Sequence, residues 1–240
     1  MPSPIESNNV CALRSQMSNT TLPTLHGANI SPYVRKVRVA LAHKSIKYNS
    51  IQQSPFGAPE EFKSISPLSK IPCWEEGELA LPDSSVILGY LEHRYPEPPL
   101  LPQQAGPRAR ALWFEEYADT KLGETVAAVF FQRVVRPNVL KQETDSVAVE
   151  HLLEVALPKV LDYLTSCLGD DDFMVGSSFS LADIALTSPF VNFALAGETI
   201  DRIRWPAMAN YIERVHGLPS YRPIVEADLA GPFARFKPQA

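Results

Sequence analysis

Residues 70–87 have the sequence KIPCWEEGELALPDSSVI, and this stretch decides the fold. Two short apolar segments, 71–74 and 79–81, flank the turn EGE at 76–78, a pattern typical of a β-hairpin with glycine in its turn. An Asp-Ser pair then precedes apolar residues at helical spacing, which predicts a helix over residues 84–95. The stretch therefore predicts two antiparallel strands followed by a helix.

The chain before this hairpin has the pattern of a strand, a helix and a second strand. Residues 21–27 form a short segment that ends at a glycine, and residues 46–51 alternate like a half-buried strand. Between them, Ser31 and Pro32 begin a helix, because serine is favoured as an N-cap and proline at the first helical position. Three basic residues of this helix are expected to form a solvated face: Arg35, Lys36 and Arg38.

The second half of the chain has only helical patterns. Prolines concentrated between positions 96 and 107 predict a stiff linker over residues 97–106. Beyond it, Ser180 and Asp183 form a capping box at a helix start, whereas the proline-containing tail after Ser220 is expected to be extended. The sequence therefore predicts an α/β domain over residues 21–96, in the order β-α-β-α-β-β-α, and an all-α domain over residues 107–240.

Composition and charge exclude several classes of function. The 240 residues carry 22 Lys and Arg against 27 Asp and Glu, a net charge of −5, whereas nucleic-acid binders normally present a basic face. No apolar run approaches the length of about 18 residues that a membrane span needs. The three cysteines are widely spaced and the histidines are scattered, which predicts neither a disulfide framework nor a metal site. We expect a cytoplasmic protein without a nucleic-acid, membrane or metal partner.

The first 20 residues are rich in serine and asparagine and poor in apolar side chains. They lack the apolar segment of a secretory signal, and we expect them to form a disordered extension. Met17 is an alternative start of the chain.

Three short motifs follow one another at the starts of predicted elements: Ser31-Pro32, Lys70-Ile71-Pro72 and Pro82-Asp83-Ser84. Together with the segment SLADIA at 180–185, they make residues 22–217 resemble the cytosolic glutathione transferase superfamily. The segments at 31–38 and 113–119 are most similar to serine-type, bacterial or fungal members. The resemblance implies a thioredoxin-like domain followed by an α-helical domain, a homodimer, and glutathione as co-substrate.

The resemblance also implies how glutathione is held and activated. Ser31 would donate a hydrogen bond to the glutathione sulfur, which favours the nucleophilic thiolate. The residue before a cis proline, here Ile71 before Pro72, would pair with the cysteinyl backbone like a short antiparallel strand. The alternatives are that Ser31 only caps its helix, that Asn29 contacts the sulfur, and that Pro72 is an ordinary trans proline.

The remaining glutathione contacts are carried over in the same way. Ser84 and the free N–H groups of its helix would bind the γ-glutamyl carboxylate. Asp83 would bind the ammonium group, where relatives usually have the longer Glu or Gln. Lys70 and Gln53 are the two further candidates, with Gln53 near the glycine carboxylate. Simple helix capping is the alternative role for Asp83 and Ser84.

The implied activity is transfer of glutathione to small apolar electrophiles. The electrophile would bind between the domains, where Tyr117, Phe130 and Phe131 are candidate wall residues, unless these aromatic residues belong to the core. Two other functions remain open on the same residues. One is a glutathione-dependent isomerase or dehalogenase, and the other is a glutathione-binding or scaffold protein without catalysis.

Overall fold

The computed structural model describes residues 22–236. Its first part is a four-stranded sheet with three helices, which confirms the predicted order of elements. The strands are β1 (Thr24–His26), β2 (Asn49–Ile51), β3 (Cys73–Glu76) and β4 (Leu79–Leu81). The helices are α1 (Pro32–His43), α2 (Glu60–Ile65) and α3 (Ser84–Arg94). The extension predicted for residues 1–20, with the alternative start at Met17, lies outside the described residues.

The sheet has the strand order β2-β1-β3-β4. β1 pairs in parallel with β2, with His26 opposite Ile51, and it pairs antiparallel with β3, with His26 opposite Cys73. β4 is antiparallel to β3, and its last residue, Leu81, lies opposite Trp74. The ends of β1, β2 and β4 and the start of β3 therefore share one edge of the sheet.

The rest of the described chain is helical. The helices are α4 (Ala105–Tyr117), α5 (Ala128–Phe130), α6 (Ser146–His151), α7 (Leu157–Leu168), α8 (Leu181–Leu195), α9 (Pro206–His216) and α10 (Arg222–Leu229). Wider π-type turns connect some of them, over Ala118–Ala127, Phe131–Leu140 and Leu152–Ala156. α7 begins at Leu157 and Pro158 lies in its first turn, where a proline is tolerated because the first N–H groups of a helix have no partner within it.

The prediction of an extended tail after Ser220 is wrong for residues 221–236. Pro223 lies in the first turn of α10, where its missing N–H and fixed φ are tolerated. Tyr221 and Val225 are buried, and the chain continues as a 3₁₀ turn over Pro232–Phe236. Burial of one face of α10 against the core therefore outweighs the local effect of the prolines.

The buried helix α8 begins at the predicted capping box. The Asp183 carboxylate accepts hydrogen bonds from the backbone N–H and the hydroxyl of Ser180, at 2.8 and 3.0 Å. It also accepts from the N–H of Met174 and from the hydroxyl of Tyr211. Asp183 therefore ties the start of α8 to two neighbouring segments.

The segment that follows α3 is packed against α1. Lys44 Nζ donates to the carbonyls of Tyr95 and Pro98, at 2.7 and 2.8 Å. The same ammonium group pairs with Glu92, whose carboxylate accepts from the N–H of Leu100. These contacts hold the connection between the sheet and the helical part against α1.

Candidate functional site

The strand register brings the predicted site residues to one edge of the sheet. Ser31 follows the end of β1, and Gln53 follows the end of β2. Pro72 directly precedes β3, and Asp83 and Ser84 follow the end of β4. Four segments that are distant in the sequence therefore meet at this edge, which is the candidate site.

Ser31 is the N-cap of α1. Its Oγ accepts from the N–H of Val34 at 3.4 Å, and its backbone carbonyl accepts from the N–H of Arg35 at 2.9 Å. The residue is half-buried, and within residues 22–236 no acceptor lies in hydrogen-bond contact with its hydroxyl. The hydroxyl can therefore donate to a ligand atom beside the N-terminus of α1, where the helix dipole favours negative charge.

The Ile71–Pro72 peptide bond is cis, as the family resemblance implies. Pro72 is buried and Ile71 is half-buried. Among the described residues, none hydrogen-bonds to the backbone of Ile71, so an extended peptide could pair with it. Lys70 is exposed, and its carbonyl accepts from the hydroxyl of Ser66 at 2.7 Å.

Asp83 and Ser84 form the start of α3. Asp83 Oδ1 accepts from the N–H groups of Ser85 and Val86, at 2.9 and 3.0 Å, so the expected capping role is real. Asp83 is exposed, and its second oxygen, Oδ2, makes no hydrogen bond within the described chain. Ser84 is only 3% exposed, and its hydroxyl likewise has no partner among residues 22–236. Both groups are available to a ligand in addition to their structural role.

Gln53 and Asn29 are partly engaged by the protein itself. The amide of Gln53 donates to the carbonyl of Ser54 at 2.7 Å. Asn29 exchanges two hydrogen bonds with the side chain of Gln52, at 3.3 and 3.1 Å. These bonds use the backbone N–H and the Oδ1 of Asn29, whereas its Nδ2 donor makes no hydrogen bond among residues 22–236, so Asn29 stays an alternative sulfur contact.

The prediction of a solvated basic face on α1 is wrong. Arg35 and Lys36 are 0% and 1% exposed. Arg35 Nε donates to Asp228 Oδ2 at 2.6 Å, and Arg38 donates to the other oxygen at 2.8 Å. Burial lowers the pKa of the Arg35 guanidinium, and the Asp228 carboxylate opposes this effect. Asp228 lies 193 residues beyond Arg35, so no local pattern could have revealed the pair.

Lys36 belongs to a second buried cluster, at the junction of α1, α3 and α4. Its Nζ lies 2.7 Å from Glu115 Oε1 and 2.6 Å from Asp119 Oδ1. The hydroxyl of Ser85 donates to the same Glu115 oxygen at 2.6 Å. Burial raises the pKa of Asp119, an effect that Lys36 opposes and Glu115 reinforces. The cluster ties the residue after Ser84 to the helical part.

The three aromatic residues predicted to line an electrophile crevice have different surroundings. Phe130 is buried and packs against Phe233, and Tyr117 packs against Tyr163 with ring centroids 5.0 Å apart. Phe131 is 39% exposed. Core packing therefore explains Phe130 and Tyr117 without a ligand.

A small crevice beside the start of α1 was not foreseen from the sequence. Its lining includes Tyr33, Asp119, Gly123 and Ala127. A Cβ on Gly123 would lie 2.9 Å from the Tyr33 hydroxyl oxygen, so the glycine permits the close approach of this ring. The crevice borders Pro32, directly after Ser31, but its volume of about 10 Å³ leaves room for about one water molecule, so an electrophile does not fit there in this structure.

No helix among residues 22–236 has both the length and the apolar character that crossing a bilayer requires. Over the same residues, no group of three or more His, Cys, Asp or Glu side chains is arranged to hold a metal ion.

Comparison with known proteins agrees with the fold. The family models of the glutathione S-transferase N-terminal and C-terminal domains match residues 25–99 and 124–214. A glutathione S-transferase from Hyoscyamus muticus is 30% identical over 177 residues, which cover 71% of this chain and 82% of the relative. FtsZ-localized protein A from Caulobacter vibrioides is 26% identical over 209 residues, which cover 84% of this chain and 90% of the relative.

A solved structure with a bound glutathione derivative is also similar. The glutathione S-transferase from Methylobacterium radiotolerans, in complex with glutathione sulfonate, matches with a TM-score of 0.71 and 28% identity. The match covers 85% of this chain and 95% of that one. With both domain families matched in order on a thioredoxin-like sheet and a helical domain, the chain belongs to the glutathione S-transferase superfamily.

Proposed function

We propose that the protein ionises the thiol of glutathione and transfers the sulfur to small apolar electrophiles, with Ser31 as the catalytic residue. The observation that carries the proposal is the Ser31 hydroxyl, which has no acceptor in the described chain and lies at the N-terminus of α1. The relatives named as glutathione S-transferases support the same activity.

The Ser31 hydroxyl would act on the equilibrium between thiol and thiolate. A thiol with a pKa near 8.5 is only a few per cent ionised at pH 7. A hydrogen bond to the thiolate contributes about 1.5–3 kcal/mol, and each 1.36 kcal/mol shifts the pKa by one unit, so Ser31 would lower the thiol pKa by about one to two units. The dipole of α1 adds about 0.3–1 kcal/mol in the same direction. No general base is needed in this mechanism.

The rest of glutathione is held by the same sheet edge. The unpaired backbone of Ile71, before Pro72, pairs with the cysteinyl residue as a short added strand. The hydroxyl and the backbone N–H of Ser84 bind the γ-glutamyl carboxylate, since the N–H groups of Ser85 and Val86 already donate to Asp83 Oδ1, and Asp83 Oδ2 binds the ammonium group. Lys70 and Gln53 complete the set toward the glycine carboxylate.

The wider assignment follows from the motifs. Serine precedes Pro32 where cysteine-type members have cysteine, and His26 stands near the place of the tyrosine in tyrosine-type members, which supports a serine-type member similar to bacterial and fungal ones. We further propose that it acts as a homodimer in the cytoplasm. Glutathione-dependent isomerisation or dehalogenation would use the same thiolate and the same residues.

A second candidate function is glutathione binding or scaffolding without catalysis. The relative named FtsZ-localized protein A favours it, because that name records a location and no reaction. The two candidates differ in turnover. Binding to immobilised glutathione together with conjugation of a generic aryl halide supports a transferase, whereas binding without conjugation supports the second candidate.

Ser31→Ala tests the proposed mechanism, with Asp145→Ala as a matched control. Both changes remove a side chain that caps a helix, since Asp145 Oδ1 accepts from the N–H of Ala148 at 2.9 Å, and each should cost about 1 kcal/mol of stability. Only Ser31→Ala should raise the pKa of the thiol of bound glutathione, by about one to two units. The pKa is measured from the ultraviolet absorbance of the thiolate as a function of pH.

Two further measurements sharpen this experiment. Glutathione affinity, measured at a pH where the bound thiol is protonated, should change little in Ser31→Ala. Ser31→Thr, which keeps a hydroxyl, should retain most of the thiolate. A thiol pKa in Ser31→Ala equal to that of the unchanged protein would show that Ser31 is only a helix cap.

A further inference from the structure

The carbonyl groups on either side of Ser31 are both held by side chains of α8. Asn192 Nδ2 donates to the carbonyl of Ile30 at 2.9 Å. The hydroxyl of Ser188 donates to the carbonyl of Pro32 at 2.7 Å. The Ile30 carbonyl belongs to the peptide group that links Ile30 to Ser31, and the Pro32 carbonyl lies one residue beyond. The backbone that carries the Ser31 hydroxyl is therefore held on both sides from the helical domain.

Arg35 sets the direction of the Asn192 amide. One terminal nitrogen of its guanidinium donates to Asn192 Oδ1 at 2.8 Å and to the carbonyl of Ser188 at 2.9 Å. Because Oδ1 accepts from this cation, the Nδ2 donor is the group that faces the Ile30 carbonyl. Arg35 is itself held by Asp228, so the whole arrangement has one orientation.

The two side chains are fixed on a rigid element. Ser188 and Asn192 are four residues apart and therefore lie on the same face of α8. They are 0% and 1% exposed, and nearly all side chains of α8 are buried. Because water is largely excluded from these side chains, a shift of the backbone around Ser31 would leave buried polar groups without partners, which is costly.

We propose that Asn192, assisted by Ser188, is a positioning residue for Ser31 and sets the direction of its hydroxyl toward the glutathione sulfur. This inference rests on the proposed role of Ser31. Asn192 acts through the Ile30 carbonyl, so the helical domain contributes to thiol activation through the backbone. A displacement of about 1 Å in a catalytic group can cost on the order of 100-fold in rate, so a small backbone shift is enough to matter.

The test compares the pKa of the bound glutathione thiol in Asn192→Ala and in the control Thr187→Val. Thr187 is also buried on α8, and its hydroxyl bonds to the Asp183 carbonyl and the Tyr221 hydroxyl rather than to residues 30–32. We expect Asn192→Ala to raise the thiol pKa by about half to one unit, which means about three- to tenfold less thiolate below that pKa. Thr187→Val should leave the pKa unchanged, although it also disturbs buried hydrogen bonds.

A double variant shows whether Asn192 acts through Ser31. In a Ser31→Ala background, Asn192→Ala should cause no further shift, because the hydroxyl that it positions is gone. Equal shifts in both backgrounds would overturn the positioning role, as would an unshifted thiol pKa in Asn192→Ala.

Ser188→Ala provides a milder second variant if Asn192→Ala does not fold. It removes only the hydrogen bond to the Pro32 carbonyl and should shift the thiol pKa in the same direction by a smaller amount. A pKa equal to that of the unchanged protein would overturn the role of Ser188. An unshifted thiol pKa in Ser31→Ala would reject the proposed function and, with it, the positioning role. A shifted thiol pKa in Ser31→Ala together with an unshifted one in Asn192→Ala would reject the positioning role alone, so the two failures are distinguishable.

Discussion

Asp228→Ala removes the carboxylate that neutralises two cations of α1. Its two oxygens accept from Arg35 Nε at 2.6 Å and from Arg38 at 2.8 Å. The side chains of Asp228 and Arg35 are 2% and 0% exposed, so water cannot replace the lost partner. The variant therefore leaves a buried guanidinium without its anion, on the helix that begins at Ser31.

The size of this effect follows from the burial of the pair. Removing one partner of a buried ion pair costs about 3–5 kcal/mol. Arg35 keeps its hydrogen bonds to the Ser188 carbonyl and to Asn192, so we expect the lower part of that range, about 3–4 kcal/mol. For a chain of this size, each kcal/mol lowers the Tm by about 2–4 °C, which corresponds to about 6–16 °C in total.

Urea unfolding followed by circular dichroism measures the loss, and Glu213→Ala is the matched control. Glu213 pairs with Arg202 on the surface, where the two side chains are 65% and 54% exposed. Exposed pairs contribute at most about 1 kcal/mol. If Asp228→Ala costs no more than Glu213→Ala, burial does not set the strength of the pair and the reasoning is refuted.

Three further changes test other parts of the structure. Burial lowers the pKa of His216 to about 4, whereas in the unfolded chain it is about 6.5. As the pH falls from 6.5 to 4, the unfolded chain therefore binds a proton at this residue that the folded chain does not. The free energy of unfolding should fall by about 3 kcal/mol over this range because of His216. His216→Phe should remove that part of the decline in unfolding experiments across this range, and an unchanged slope would contradict the assignment. Gly27→Ala places a Cβ 2.4 Å from Val34 Cγ2 and should cost about 1–3 kcal/mol in urea unfolding, with a smaller loss in a Val34→Ala background. An equal loss in both backgrounds would show that this contact is not the cause. Asp183→Ala removes a carboxylate that accepts four hydrogen bonds and should cost more than the roughly 1 kcal/mol of a single cap, while the thiol pKa seen by ultraviolet titration stays unchanged. A shifted thiol pKa in that variant would mean that the capping box also acts on the site.

Local signals explain what was predictable. The strands, α1, α3 and the capping box at Ser180 each depend on residues within a few positions of one another, and the sequence predicts all of them. The cis bond before Pro72 was expected from the motif that contains it. Ser31, Asp83 and Ser84 were likewise identified as helix-start residues, and they cap or begin the expected helices.

The errors concern residues whose partners are distant in the sequence. Arg35 and Lys36 have charges that suggest solvent, yet their carboxylate partners lie 193 and 79 residues away and make burial favourable. The prolines of the tail suggest an extended chain, yet α10 forms because one of its faces is buried against the core. Spacing along the chain carries no information about such partners.

The sequence by itself therefore determined the order of the elements, the caps of α1, α3 and α8 and the identity of the candidate catalytic serine. Only the tertiary structure decided that side chains of α8 hydrogen-bond to the backbone on both sides of Ser31, and that buried ion pairs hold α1 in place. The physical reason is that helix and turn signals arise between neighbouring residues, whereas buried polar groups are stabilised by whichever partners folding brings within about 3 Å of them.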